Sequence, residues 1–180
     1  MIRDAELLDR LSALPTETFS GNVFRATRQN LNPITASISG GRWMPPGGAG
    51  VLYTSFAREG ALAEMAFHLG QQTPRPSKPV MVHTLSVTCG RALRLVRVDL
   101  RSLGIGDLDY SQLNYLRSQQ IGDAAQFLGC DGLIAPCARW DCDNLMMFPD
   151  HMRADALLEV VESEAVDWLQ WALDNNVLSV

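Results

Sequence analysis

From Gln29 to Gly50 the chain shows neither the 3.6-residue periodicity of a helix nor the alternation of a strand, and Gly, Pro, Ser and Asn dominate the run. Loops of this length inside a compact domain are uncommon and tend to carry function. Any fold this sequence adopts must therefore seat a long irregular segment between two regular elements. Within that segment Ser39–Gly50, reading SGGRWMPPGGAG, is the first place to expect a site.

The flanks are more regular. Asp4 to Leu14 sets Leu7, Leu8, Leu11 and Leu14 at helical spacing, and Pro15 stops the helix. Asn22–Thr27 alternates as a strand does, and Val51–Thr54 is a short apolar strand. Ser55 is placed to cap a helix over Ala57–Leu69 that closes at Gly70. Pro79–Cys89 and Arg91–Leu100 are expected as two strands parted at Gly90. Leu113–Leu128 is expected to be helical, interrupted near Gly122 and capped by Gly129. Gly132–Pro136 and Asn144–Phe148 are expected as strands around a loop, Leu157–Val161 as a further strand, and Asp167–Asp174 as a closing helix. Strands and helices do not alternate regularly, so the class is α+β rather than doubly wound α/β: one domain over residues 1–180, with mixed or antiparallel sheets and flanking helices.

Composition excludes several functions. With 180 residues, 47% of them apolar and 19% charged, the chain supports one well-filled core and is not disordered. A net charge of −5 argues against direct nucleic-acid binding, which needs a basic face. No run approaches a membrane span, and charges break every apolar stretch of Met1–Leu14, so neither a membrane anchor nor a signal peptide is expected. The four cysteines show no disulfide-scaffold spacing, and a reducing cytoplasm is the simplest location. Of the cluster Cys130, Cys137, Cys142 and His151, only Cys137 and Cys142 approach the spacing of structural zinc ligands, so no metal is expected.

A few residues stand out chemically. In Gly40-Gly41-Arg42-Trp43 the glycines permit a sharp turn and close backbone approach, the arginine offers a planar fork to a phosphate or carboxylate, and the tryptophan can exclude solvent. The same four residues also fit a surface loop with a stacked Arg–Trp pair. Their spacing matches neither a dinucleotide fingerprint nor a P-loop. Tyr53 is either a half-buried strand aromatic or a pocket wall. Glu64 and His68 lie one turn apart at the border of the apolar helix face formed by Ala57, Ala61, Leu62, Met65 and Leu69, so Glu64 is either a solvated edge or a carboxylate at the lip of a pocket.

Taken in order, Phe24-Arg25, Gly40–Trp43, Pro46-Gly47, Val51-Leu52-Tyr53, Ala61-Leu62-Ala63-Glu64, Leu133–Ala138 and Asn144-Leu145 resemble the RES-domain family, over roughly Val23 to Phe148. The resemblance implies an ADP-ribosyltransferase-like fold with NAD⁺ as substrate. It further implies a toxin of a bacterial toxin–antitoxin pair that breaks the nicotinamide–ribose bond. A fixed carboxylate, Glu64, would steady the positive charge developing on the ribose. Arg25 and Arg42 would clamp the diphosphate or orient the carboxylate, Tyr53 would stack on the nicotinamide, and Cys137 and Asn144 would line the pocket. Two departures from the family pattern are Cys137 in place of a serine and Met44 in place of an asparagine.

A thiol is the poorer hydrogen-bond partner. A nucleophilic Cys137 would need a base, and His83 and His151 are the candidates. The resemblance also implies a small helix-turn-helix (Xre-type) antitoxin as partner, which would make any DNA contact. A homodimer is compatible with it, although no sequence feature marks an interface. Transfer of ADP-ribose to a protein is the alternative within the enzyme class. An inactive RES-like interaction module is the alternative outside it, distinguished by the absence of nicotinamide release.

Overall fold

The structure, a computed structural model, describes residues 4–178, so the outermost positions of the expected 1–180 domain lie outside the described residues. Helix α1 (Ala5–Ser12) starts where the Asp4 carboxylate accepts the backbone N–H groups of Glu6 and Leu7, and it buries Leu7 and Leu11. Strands β1 (Thr16–Arg28) and β2 (Leu52–Ser55) bracket the long loop, and α2 (Arg58–Gly70) follows directly. Strand β3 (Val80–Arg94) leads into three helices, α3 (Arg97–Ser102), α4 (Asp107–Tyr110) and α5 (Leu116–Phe127). The chain then forms β4 (Gly132–Pro136), β5 (Asp143–Met147), β6 (Leu158–Val166) and α6 (Trp168–Asp174).

The strands form one sheet in the order β1-β2-β5-β4-β3-β6, and an additional β1–β3 pairing closes the first five into a ring. All contacts are antiparallel except β3 with β4. Inside the ring pack Val23, Leu52, Leu85, Val87, Cys89, Ile134, Leu145 and Met147. A second cluster joins α2 and α6 to the outer face through Leu62, Ala66, Leu69, Val80, Val82 and Trp168. A third gathers α1, α5 and the long loop around Trp43, Met44, Leu93, Tyr110 and Phe148. Strand β3 thus buries one face at its start, against the helices, and the opposite face farther on, inside the ring. The result is the α+β class expected from the order of elements.

Several elements differ from expectation. The two strands expected around Gly90 are one strand. Between Cys89 and Ala92 β3 carries one more residue than β1 opposite it, which is a β-bulge. The buried Asp131 carboxylate holds it, accepting the N–H of Gly90 at 2.6 Å and of Arg91 at 2.8 Å. Beyond Arg94 the expected strand ends and α3 begins. Helix α5 passes Gly122 without interruption, because that glycine lies flush against the Trp43 backbone carbonyl, where a Cβ would not fit. Strand β1 reaches back to Thr16 and β6 on to Val166, since both pair along β3. The Ser55 hydroxyl accepts from Ala57 N–H at 3.4 Å just ahead of α2, while Ala57 itself occupies the cap position. Gly129 closes α5 with φ +79°, as a C-terminal glycine does. Among the described residues no helix is long and apolar enough to cross a membrane.

Candidate active site

The irregular loop folds back over the sheet. Ser37 bridges Val51, Gly41 bridges Met44, and Gly47 donates its N–H to Ile38. Gly40, at φ +82°, is pressed against Pro46, so only glycine turns the chain there. A Cβ on Gly41 would strike the Tyr53 hydroxyl at 2.7 Å, so the missing side chain is what lets the loop lie over the β2 tyrosine. From α5, Gln119 donates to the Gly41 carbonyl at 2.9 Å and fixes the loop from the far side.

Under this loop opens a cleft of about 480 Å³, walled by β1, the loop, β2, α2, α4 and β5. Arg25, Arg42, Tyr53, Glu64 and Asn144 all line it, and so does His68, one turn beyond Glu64. Cys137, expected to line the pocket, does not: it is buried behind Glu64. Its thiol donates to Glu64 Oε1 at 3.4 Å, and Asn144 Nδ2 donates to the same oxygen at 3.4 Å. A hydrogen bond with the Cys142 sulfur, then burial, then the Glu64 charge push the Cys137 thiol up, so it stays protonated and serves as a donor. No hydrogen bond among the described residues uses Oε2 of Glu64.

Arg25 and Arg42 differ. Arg42 lies between aromatic faces, its guanidinium carbon 4.8 Å from the Tyr110 ring centroid and 4.5 Å from that of Tyr115, and Nη1 donates to the Tyr110 carbonyl at 2.7 Å. Its partners are these tyrosines rather than the neighbouring Trp43, which is buried in the core. Arg25 projects from β1 with Nη1 buried and unbonded, and burial lowers its pKa to about 10, still cationic at neutral pH. The Tyr53 hydroxyl and Asn144 Oδ1 are likewise buried without hydrogen-bond partners. Buried polar groups are rarely left unsatisfied, so three such atoms on residues lining one cleft mark a place shaped for a polar guest. Burial raises Tyr53 to about 12 against the lowering effect of the Trp43 and Met44 backbone, so its hydroxyl stays protonated. Burial also lowers His68 against the pull of Glu64, favouring a neutral imidazole.

Sequence reasoning missed Tyr110 and Tyr115. Tyr115 lies near the start of the segment expected to be helical and Tyr110 just ahead of it, but only the fold brings their rings to Arg42. Neither histidine suggested as a base for Cys137 is engaged with it: His83 bonds Thr27 and Ser163, and His151 bonds Gln126. Among the described residues no group of three His, Cys, Asp or Glu side chains could hold a metal ion, and Cys130 is packed in the core.

The cleft thus combines one carboxylate, three guanidinium groups (Arg25, Arg28 and Arg42) and aromatic walls, which suits an anionic ligand. A family profile described as the RES domain matches residues 19–169, and the chain belongs to that family. Among seven matching chains of solved structures is one from the M. tuberculosis MbcT–MbcA toxin–antitoxin complex. It superposes with a TM-score of 0.79 at 20% identity, covering 93% of this chain and 96% of that one. No curated protein matches.

Proposed function

We propose that this chain cleaves the nicotinamide–ribose bond of NAD⁺. The observation that carries the reading is the placing of Glu64, backed by two neutral donors on one oxygen, in the same cleft as the unpartnered Arg25 guanidinium. Nicotinamide in NAD⁺ is cationic and leaves as a neutral ring, so little acid assistance is needed. The barrier lies in the positive charge that grows on the ribose as the bond breaks. A carboxylate fixed beside that ribose is worth most at that moment, because its orientation is set before the reaction begins. Cys137 and Asn144 provide that orientation through Oε1, and the remaining oxygen faces the developing charge. Arg25 Nη1 takes a diphosphate oxygen, which supplies its missing partner. Arg42, braced by Tyr110 and Tyr115, keeps the loop closed over the dinucleotide. Tyr53 forms the aromatic wall against the nicotinamide, with its hydroxyl free to donate. A volume of about 480 Å³ falls within the range of small-molecule clefts.

Unchecked NAD⁺ cleavage would harm the cell that makes the enzyme. Together with the similar chain from a toxin–antitoxin complex, this supports a toxin held inactive in the cytoplasm by a cognate helix-turn-helix antitoxin. Incubation of purified protein with NAD⁺, with products identified by mass spectrometry, tests the reading. Nicotinamide release with a Glu64→Ala control showing none is expected. The accompanying product names the acceptor: free ADP-ribose for water, its 1-phosphate for phosphate, a modified protein for a transferase. No release in any buffer, phosphate included, would leave an inert RES-like module.

A further inference from the structure

Cys137 and Cys142 face each other across the β4–β5 hairpin. The strand register pairs Ala135 with Asn144 and Pro136 with Asp143, and one step past the ladder Cys137 lies opposite Cys142, whose carbonyl accepts the Cys137 N–H at 2.7 Å while the Cys142 N–H turns to the Trp140 carbonyl. Opposed residues on a ladder rung have Cα atoms about 5.5 Å apart and side chains on the same face. A disulfide spans roughly 4.4–6.8 Å between Cα atoms, so this pair can be bridged with little backbone movement.

Both sulfurs lie against α2. Cys137 meets Glu64, while Cys142 packs where a Cβ on Gly60, one turn earlier, would strike it at 2.6 Å. The Ser55 hydroxyl lies 3.3 Å from the Cys142 sulfur. These surroundings split the pair: the Cys137 hydrogen bond, aided by Ser55 and against burial, lowers the Cys142 thiol, whereas Cys137 is raised. Cys142 is partly accessible and Cys137 is buried. An accessible, thiolate-prone cysteine beside a buried neutral one is the arrangement of an attacking and a resolving thiol.

We propose that Cys142 and Cys137 form a peroxide-responsive dithiol whose oxidation to a disulfide withdraws the thiol donor from Glu64. In the first step the Cys142 thiolate attacks one peroxide oxygen, an S–O bond forms, the O–O bond breaks, and hydroxide leaves, becoming water with the proton that the Cys142 thiol gave up. In the second, the Cys137 sulfur attacks the Cys142 sulfenic acid. The S–S bond forms, the S–O bond breaks, and the hydroxyl leaves as water with the Cys137 proton. Two thiols are oxidised and one peroxide is reduced to two waters. Glu64 Oε1 then retains only the Asn144 donor. The chemistry stands by itself, while its effect on turnover rests on the NAD⁺ reading.

The test treats the purified full chain with stoichiometric hydrogen peroxide, alkylates the remaining thiols, and maps the peptides by mass spectrometry. Expected are the loss of two of the four alkylatable thiols and a reducible Cys137–Cys142 cross-link, absent in Cys142→Ser. Oxidation that stops at a Cys142 sulfinic acid, or that falls equally on Cys89 and Cys130, overturns the proposal. Nicotinamide release is then compared. Peroxide should lower it several-fold in the unmodified protein, reversibly by dithiothreitol, and leave it unchanged in Cys142→Ser. A cross-link with undiminished release overturns the link to Glu64. If the fully reduced protein releases no nicotinamide, the NAD⁺ reading fails, and the cross-link alone decides whether the dithiol exists.

Discussion

Two of the three arginines that line the cleft, Arg25 and Arg42, are held in opposite ways. Arg42, on the irregular loop, is stacked between two tyrosines and bonded to a backbone carbonyl, so it is braced without a ligand. Arg25, on a strand paired along its length, is the reverse: a backbone fixed in the sheet, a half-buried side chain, and a buried nitrogen, Nη1, with nothing to donate to. A flexible segment needs its charged side chain as an internal brace, whereas a strand does not and can leave its charge for a guest. Arg42 is therefore expected to matter for both stability and activity, and Arg25 for activity alone.

Removing the group that both walls serve should have the largest effect. Glu64→Gln is expected to lower kcat for nicotinamide release by about 10²–10³ with an unchanged melting temperature; a loss below a few-fold would show that the carboxylate does not act on the reacting ribose. Arg25→Met removes one charge-assisted contact to the diphosphate and should reduce kcat/KM by a factor of about 10–100, corresponding to roughly 1.5–3 kcal/mol. Its melting temperature should hold or rise, because a half-buried cation without a partner is replaced by an apolar chain. A fall in stability would break the contrast between the two arginines.

Arg42→Ala should instead cost about 1–2 kcal/mol of unfolding free energy in denaturant titration, through loss of its aromatic stacking, and should lower activity as the loop loosens. Tyr115→Leu, which strips one of the two rings, should cost about 0.5–1 kcal/mol and leave Arg25-dependent binding intact.

The smallest effect concerns acid. His83 pairs with Arg25 across β1 and β3, and burial first, then the Arg25 charge, lower its pKa from 6.5. Above pH 6.5 it is neutral folded or unfolded, and below that the unfolded chain takes up a proton the folded one resists, so stability falls with pH. That decline, followed by thermal melts from pH 7 to 5, should be shallower in Arg25→Met and unaltered in Arg42→Ala.

What the sequence disclosed follows the range of the interactions involved. Strand β4 was legible to the residue, because a short apolar run between Gly132 and Pro136 has few other uses. The placing of Arg25, Arg42, Tyr53, Glu64 and Asn144 around one cleft was legible through the ordered motifs, though not through any single residue. The bulge at Gly90 was hidden because its cause, Asp131, lies far along the chain. Gly122 looked like a helix breaker because its neighbour, the Trp43 carbonyl, is distant in sequence. The ends of β1 and β6 are polar and exposed, and only pairing with β3 makes them strands. Tyr110 and Tyr115 gave no local sign at all.

A crystal structure of the Glu64→Gln variant with NAD⁺ bound is the most direct measurement. Expected are a diphosphate oxygen within hydrogen-bond distance of Arg25 Nη1, the nicotinamide ring along Tyr53, and the adjoining ribose beside the side chain at position 64. A dinucleotide bound outside the cleft, or seated in it with its ribose turned away from that position, would contradict the proposed chemistry.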